Sequence, residues 1–368
     1  MKPRILAIVS AALFVAACGS SKKSSPAHVA AHDVSYTDRT TPVAIATVGD
    51  AVGTVNSAMA GLDSVSGNMG QFTSVTGVSG TAQVTIQDAV RLAARWFPKV
   101  GEAQASGAAI SAGGNCQISG SGSVTGNVLD TNNAGANTGD WAQFTFNNCQ
   151  DTAGVFIDGV MRIDIVEGHG SRSMDLAPSV MPLGTYRATI TFTDLSFAQA
   201  NGTWSGMDGN ITLAITKRAS PNEIESSISG TGLVFGVGQG TSLLEGTMLT
   251  APTGQTGYLQ DTVEVYGSGF TSPYTSTRET LNSKVCSTAM HGCVQVVTNS
   301  PILDNAGAAH PYAGSFTISA GNAMIRIDIL SVTNVNVTYD LNTTDATPAT
   351  GPINQTWTCL DANTCTWP

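Results

Sequence analysis

The seven cysteines are the residues of this chain whose chemistry depends most clearly on their spacing. They are Cys18, Cys116, Cys149, Cys286, Cys293, Cys359 and Cys365. An odd number cannot pair completely within one exported chain, so one thiol needs another role. Cys18 stands apart from the rest and directly follows a short apolar run, whereas the others all lie beyond residue 100. The spacing therefore predicts a separate chemical role for Cys18.

The residues before Cys18 have the parts of an export signal. Met1-Lys2-Pro3-Arg4 is basic, and the apolar run Ile5–Ala17 that follows ends in small residues. The run is too short to span a bilayer as a helix, which needs about 20 residues. Val15-Ala16-Ala17-Cys18 resembles the lipobox of bacterial lipoproteins. The resemblance implies that residues 1–17 are removed and that acyl chains on Cys18 attach the protein to a membrane. An ordinary secretory signal with an incidental cysteine is the alternative.

The other six cysteines are predicted to form disulfides. Six cysteines allow 15 pairings, and sequence proximity favours Cys116–Cys149, Cys286–Cys293 and Cys359–Cys365. The first pair closes the longest loop, so we expect it to stabilise most, by about 3–4 kcal/mol. His291 between Cys286 and Cys293 raises the alternative of a metal site. The spacing does not fit a zinc knuckle, and an oxidising compartment favours disulfides. We therefore expect no metal and no cofactor.

The sequence contains few residues in a pattern suited to catalysis. Glu167-Gly168-His169-Gly170-Ser171 brings a histidine and a serine close together, as nucleophilic hydrolysis requires. It lacks the Gly-x-Ser-x-Gly elbow between a strand and a helix, so a turn is the predicted structure. Carboxylates that could hydrolyse glycosides are scattered over predicted strands and turns: Asp151, Asp158, Asp208, Glu264 and Asp328. We therefore expect no catalytic residues and no enzymatic activity.

Charge limits the partners of the chain. Charged residues make up 11% of it, against about 25% in typical proteins. Loss of the signal removes two basic residues, so the net charge falls from −10 to −12. We do not expect such a chain to bind nucleic acid or to dock electrostatically on anionic lipid. The membrane contact is thus predicted to be the acyl chains on Cys18, and the other partner to be an unknown envelope or surface component.

Two segments separate the anchor from the rest of the chain. Residues 18–42 are polar and without an apolar period, which predicts a flexible tether. Gly19, rather than Asp, after the cysteine resembles lipoproteins of the outer membrane, on its periplasmic face or at the cell surface. Residues 43–104 are predicted to be helical, because Thr85–Gln104 carries one apolar face until Pro98 ends or kinks the helix. We expect this segment to pack on the following sheet; a helix on the membrane surface is the alternative.

Residues 105–368 are predicted to form one antiparallel β domain. Met161–Ile165, Ile211–Thr216 and Ile325–Ile329 alternate between apolar and polar residues. The alternation changes phase between Phe192 and Leu195, which predicts a β-bulge near Asp194. No helix is expected after residue 113.

Short turn signals separate these strands and predict a meander of hairpins. They include Asn201-Gly202, Asp208-Gly209, Pro221-Asn222 and Gly321-Asn322. Open twisted sheets rarely exceed about 10 strands, so the meander must bend. The predicted fold class is mainly β, a large antiparallel meander in the form of a curled sheet, a sandwich or an incomplete barrel, with the short N-terminal helical segment packed on it.

The function is best described by where the protein is held. The leading hypothesis is a lipid-anchored cell-envelope protein with a non-enzymatic role in binding, adhesion or structure. A carrier that binds an apolar ligand in a concave sheet is one alternative. A hydrolase that acts on glycans is another.

Overall fold

The chain folds mainly into long antiparallel strands. The computed structural model describes residues 42–45, 50, 54, 109–127, 136–152, 155–171, 183–240, 242–270, 274–288, 290–344, 349–361 and 365. The strands are β1 (Ala109–Asn115), β2 (Ser119–Asn127), β3 (Ala136–Asn137), β4 (Trp141–Thr152), β5 (Val155–Glu167), β6 (His169–Ser171), β7 (Gly184–Gln199), β8 (Thr203–Ala219), β9 (Asn222–Gln239), β10 (Ser242–Thr250), β11 (Tyr258–Val265), β12 (Ser276–Ser287), β13 (Gly292–Asn305), β14 (Ala313–Ala320), β15 (Ala323–Ile329), β16 (Asn334–Asp340) and β17 (Thr350–Thr356). Ser268–Phe270 forms a 3-10 turn, and Trp357–Asp361 forms a short helix, α1.

Fifteen of these strands form one sheet, and all described pairings between these strands are antiparallel. The sheet follows chain order through β1, β2, β4, β5, β7, β8, β9, β10 and β12 to β17, while β11 pairs with both β9 and β12. The short strands β3 and β6 pair with each other. A mainly β fold with a large antiparallel meander is therefore confirmed.

Strands β10 and β11 lie in line between β9 and β12. β10 pairs with the C-terminal half of β9, and β11 pairs with its N-terminal half. The residues between them, 251–257, leave the sheet because Pro252 has no N–H to donate to a ladder. Gln295 holds this excursion by accepting a hydrogen bond from the backbone N–H of Thr253 at 3.1 Å.

The same bulge occurs twice in the sheet. Asn148 and Asp194 both have positive φ values, 48° and 51°. The backbone N–H of Asn148 donates to Asp158 Oδ1 at 2.6 Å, and that of Asp194 donates to Asp208 Oδ1 at 3.4 Å. The pairing of β7 with β8 shifts between Phe192 and Leu195, which confirms the bulge predicted near Asp194.

Each bulge aspartate precedes a glycine with a left-handed backbone. Gly159 has φ +104° and Gly209 has φ +106°. A Cβ atom on Gly209 would lie 2.2 Å from the carbonyl oxygen of Gly232, on the neighbouring strand. The turn predicted at Asp208-Gly209 is therefore wrong: the pair lies inside β8 and gives the strands room to bend.

One continuous hydrophobic core covers one face of the sheet. Strands near the start of the sheet contribute Val124 and Phe144 to this core, and strands near its end contribute Ile325 and Val337. All four side chains are 0% exposed. The buried Leu360 of α1 joins the same core. The prediction of no helix after residue 113 is wrong in this detail, since α1 is one short turn at the C-terminal end.

The opposite, wet face of the sheet carries charged residues, together with a small buried cluster of Phe156, Ala198 and Trp204. The sequence Arg-Ile-Asp-Ile occurs at 162–165 and again at 326–329, and it forms the same ion pair in both places. Arg162 Nη2 lies 2.7 Å from Asp164 Oδ1, and Arg326 Nη2 lies 2.8 Å from Asp328 Oδ1. Both pairs are partly solvated, so each contributes little to stability.

The six cysteines beyond residue 100 form three disulfides, Cys116–Cys149, Cys286–Cys293 and Cys359–Cys365. These are the pairs that sequence proximity favours. Cys286 and Cys293 lie directly opposite each other on β12 and β13. Their direct bond excludes the alternative of a metal site built from these two thiols and His291.

The chain enters the sheet beside the second disulfide. Pro42 forms a parallel bridge with Cys293, and the backbone N–H of Val43 donates to the carbonyl oxygen of Cys293 at 3.0 Å. The helices predicted within residues 43–104 lie outside the described residues, apart from isolated positions. Among the described residues, no helix has the length and apolar character needed to cross a membrane.

Candidate functional site

A row of polar side chains crosses one end of the sheet on its apolar face. Lys217 lies opposite Ile224, which lies opposite Glu264. Glu264 in turn lies opposite Thr277, which lies opposite Asp304. Side chains that are directly opposite in antiparallel strands share one face. The register therefore brings an ammonium group and two carboxylates to one line across β8, β9, β11, β12 and β13.

The next row adds a phenol and a third carboxylate. Tyr186 lies opposite Ile215, Ile215 opposite Ser226, Ser226 opposite Thr262, and Thr262 opposite Glu279. Glu279 lies two residues after Thr277 on β12, between the strands that carry Glu264 and Asp304. Neighbouring strands are about 4.8 Å apart, so Glu279 is a diagonal neighbour of both carboxylates in the first row.

Aromatic residues after β11 pack against these rows. Gly269, with φ +71°, and Phe270, with φ +54°, turn the chain back towards the sheet. The ring of Tyr266 lies 5.7 Å from that of Phe270 and 6.4 Å from that of Tyr274, which it meets edge-on. These rings form a hydrophobic cluster with Ile215 that is separate from the main core.

We call this group of side chains the aromatic–carboxylate cluster. Its members are Tyr186, Lys217, Glu264, Tyr266, Phe270, Tyr274, Glu279 and Asp304. An edge-on aromatic pair stabilises a protein by about 0.5–1.5 kcal/mol in addition to the stabilisation from its buried area. The packing of these rings therefore fixes the positions of the polar groups beside them.

The ammonium group of Lys217 is held inside the cluster. The residue is 7% exposed, and its Nζ lies 4.2 Å from the ring centroid of Phe270. Burial lowers the pKa of Lys217, whereas the negative face of the ring favours the charged form. A buried lysine over an aromatic ring is uncommon in a protein interior, which marks this position as specialised.

Burial also raises the pKa of two carboxyl groups. The pKa of Glu264 is raised by desolvation and lowered in part by Tyr266, whose Oη donates to Glu264 Oε2 at 2.5 Å. The pKa of Asp304 is raised by burial and lowered by a hydrogen bond from the backbone N–H of Asn305 at 2.8 Å. Two partly desolvated carboxyl groups therefore lie in one row at this end of the sheet.

The three phenols are kept protonated. Burial, then the hydrogen bond to Glu264 and the charge of Glu264, raise the pKa of Tyr266 far above its ordinary value. Burial and the nearby carboxylates raise the pKa of Tyr274 to about 12, and burial raises that of Tyr186. Displaced pKa values in one place are typical of functional sites. The cluster therefore combines hydroxyl donors, carboxylate acceptors and aromatic faces.

Replacing Glu264 with glutamine should remove part of the pH dependence of stability. The folded-state pKa of Glu264 lies above its ordinary value of 4.5, so the folded protein binds this proton more tightly than the unfolded chain does. The stabilisation is present below pH 4.5 and is lost as the pH rises through the folded-state pKa. Glutamine can still accept the hydrogen bond from Tyr266.

Urea denaturation at several pH values checks this prediction. Relative to wild type, Glu264→Gln should become more stable as the pH rises from 4.5 to 7. Asp328→Asn removes a single carboxylate from the wet face instead and is the matched control. A constant difference between wild type and Glu264→Gln over this range would contradict the role given to burial.

Most residues selected from the sequence lie elsewhere. Cys18 is outside the described residues. His169 and Ser171 form the ends of β6 rather than a turn, and Asp328 pairs with Arg326 on the wet face. Asp151 lies in β4, and Asp158 and Asp208 stabilise the bulges. Of the five scattered carboxylates, Glu264 alone belongs to the cluster. Among the described residues, no group of His, Cys, Asp and Glu is arranged to hold a metal ion.

Sequence reasoning missed the other members of the cluster, including Lys217, Tyr274 and Asp304. One signal was available. Tyr266, Phe270 and Tyr274 follow one another at intervals of four in a chain with only 6% aromatic residues. The carboxylates and the lysine gave no comparable signal, because strand register alone brings them together.

No family model matches this chain, and no curated protein or solved structure matches it either.

Proposed function

We propose that this protein is a lipid-anchored cell-envelope protein, without enzymatic activity, that binds a partner through the aromatic–carboxylate cluster. The main observation behind this proposal is that aromatic rings, carboxyl groups and phenols with raised pKa values, and a lysine with a lowered pKa, lie together at one end of the sheet. Functional sites commonly have this character. The lipobox resemblance at Val15-Ala16-Ala17-Cys18 supports the anchor.

The disulfides add independent support for the anchor. The six cysteines beyond residue 100 pair with one another, which leaves Cys18 as the odd thiol. A free thiol at the end of an export signal has no structural use, whereas acylation gives it one. On this proposal the mature protein begins at Cys18 in the outer membrane, and residues 18–42 form its tether.

We also propose that the sheet is curled around its core. Side chains from its first and last strands belong to one hydrophobic cluster, and register shifts occur on most strands from β4 to β14. Bulges bend strands and increase their twist. Fifteen strands in an open, flat sheet would also be unusual.

The chemistry of the cluster favours a partner with basic side chains. It holds three carboxylates against one lysine, and burial raises the pKa of two of them. A cationic group from a partner would offset this desolvated negative charge, and the aromatic rings would pack on its apolar stem. The net charge of the mature chain, −12 once Lys2 and Arg4 are removed from a chain of −10, would also steer cationic partners towards it.

Binding of a fluorescent oligolysine peptide, followed by anisotropy, tests this proposal. Tyr274→Ala removes a half-buried ring and should weaken binding at least about tenfold, as expected for an aromatic hot spot. Glu279→Gln should weaken it too. Asp328→Asn, on the wet face, is the matched control, because it removes the same single charge and should change little.

A neutral oligosaccharide serves as the second probe, and a thermal melt of each variant confirms that it is folded. Equal effects of Glu279→Gln and Asp328→Asn would mean that oligolysine senses only the net charge of the chain, and the proposal would fail. Tighter binding of the oligosaccharide, sensitive to Tyr274→Ala, would replace the basic partner with a glycan.

A further inference from the structure

The junction between the N-terminal chain and the sheet has a fixed position. β13 pairs with β14 from Gln295 onwards, so the edge of β13 at Cys293 extends beyond the end of β14. Pro42 and Val43 occupy this edge. The chain that comes from the anchor therefore joins the sheet beside the Cys286–Cys293 disulfide.

Apolar contacts secure the junction. Ile45 is 6% exposed and belongs to the main core, and Val43 packs against the same core. A Cβ atom on Gly321, in the turn between β14 and β15, would lie 3.6 Å from Cβ of Pro42. The entering chain is thus fixed by a hydrogen bond, by burial and by the neighbouring turn.

The aromatic–carboxylate cluster lies at the opposite end of the same strands. On β12, Cys286 marks the junction, whereas Thr277 lies between Glu264 and Asp304. The nine residue steps from Thr277 to Cys286 extend about 30 Å at about 3.4 Å per residue. The junction and the cluster are therefore separated by most of the length of β12.

We infer that the Cys286–Cys293 end of the sheet faces the anchoring membrane and that the aromatic–carboxylate cluster is presented to a partner beyond that leaflet. The inference rests on the lipid anchor proposed above. Extended backbone reaches at most about 3.5 Å per residue, so the chain from Cys18 to Pro42 places the junction within about 80 Å of the leaflet. Anionic headgroups would repel the carboxylates of the cluster, which favours the same orientation.

Energy transfer from the protein to the membrane surface tests this orientation. The full lipidated chain is reconstituted in phosphatidylcholine and phosphatidylglycerol vesicles that carry an acceptor on their headgroups. A fluorescent non-canonical residue replaces Asn322, at the junction end, or Ala309, beyond the cluster; both positions are exposed. Transfer from position 322 should exceed that from 309 at least about twofold, because about 30 Å separates the two ends.

Val43→Pro provides the internal comparison. Proline removes the N–H that donates to Cys293, so the junction should loosen and the two transfer values should approach each other. Equal transfer from 322 and 309 in the unmodified, vesicle-bound chain would overturn the orientation and leave the anchor intact. Failure of the chain to float with vesicles would overturn the anchor and the orientation together, whereas oligolysine binding would still report on the cluster.

Discussion

Gly209→Ala is expected to destabilise the β domain by about 2–6 kcal/mol. Two costs add at this position. Gly209 has φ +106°, and a Cβ atom would lie 2.2 Å from the carbonyl oxygen of Gly232. The oxygen belongs to β9 and cannot move without breaking the ladder between β8 and β9. Urea denaturation followed by circular dichroism measures the loss directly.

Gly307→Ala is the matched control for this prediction. Gly307 has φ +79°, but no atom lies within 4 Å of a Cβ built there. It carries the backbone strain without the steric clash, so we expect a loss of only about 1–2 kcal/mol. If both variants lost the same stability, the close approach of β9 at Gly209 would have no energetic weight, and the bulge would be less rigid than described.

Cys18→Ser is expected to move the protein from the membrane fraction to the soluble fraction. Serine cannot accept the acyl chains that the lipobox resemblance implies, and the rest of the acidic chain offers no electrostatic attraction to anionic lipid. Cell fractionation with antibody detection measures the change. Metabolic labelling with a fatty-acid analogue should mark the wild-type protein and not the variant.

Ser20→Ala is the control for the anchor, since it alters a neighbouring residue and keeps the thiol. It should stay in the membrane fraction and keep its label. Recovery of Cys18→Ser in the membrane fraction would contradict the lipid anchor and point to a different contact with the membrane.

Local features of the chain were predictable because they depend on residues close together in sequence. The alternation at Met161–Ile165 and Ile325–Ile329 is such a feature, and both segments are strands with buried isoleucines. The bulge near Asp194 was visible as a change of phase between Phe192 and Leu195. The three disulfides join the cysteines that are nearest in sequence.

Asp208-Gly209 shows where local reasoning fails. The same two residues suit a tight turn and a bulge, since both need a positive φ. What decides between them is whether another strand accepts the distorted segment. Here Asp208 binds the backbone of Asp194 on β7, a contact between strands that sequence proximity does not indicate.

By itself, then, the sequence indicated the mainly β fold, the alternating strands such as Met161–Ile165 and Ile325–Ile329, the favoured disulfide pairs and the resemblance to a lipoprotein anchor. Only the tertiary structure decided that Lys217, Glu264 and Asp304 lie in one row, that β10 and β11 share one position in the sheet, and that Pro42 joins β13. The physical reason is that side-chain alternation is a property of one strand. Register is set by the pairing of each strand with its neighbour. The row from Lys217 to Asp304 depends on the register of four such pairings in succession.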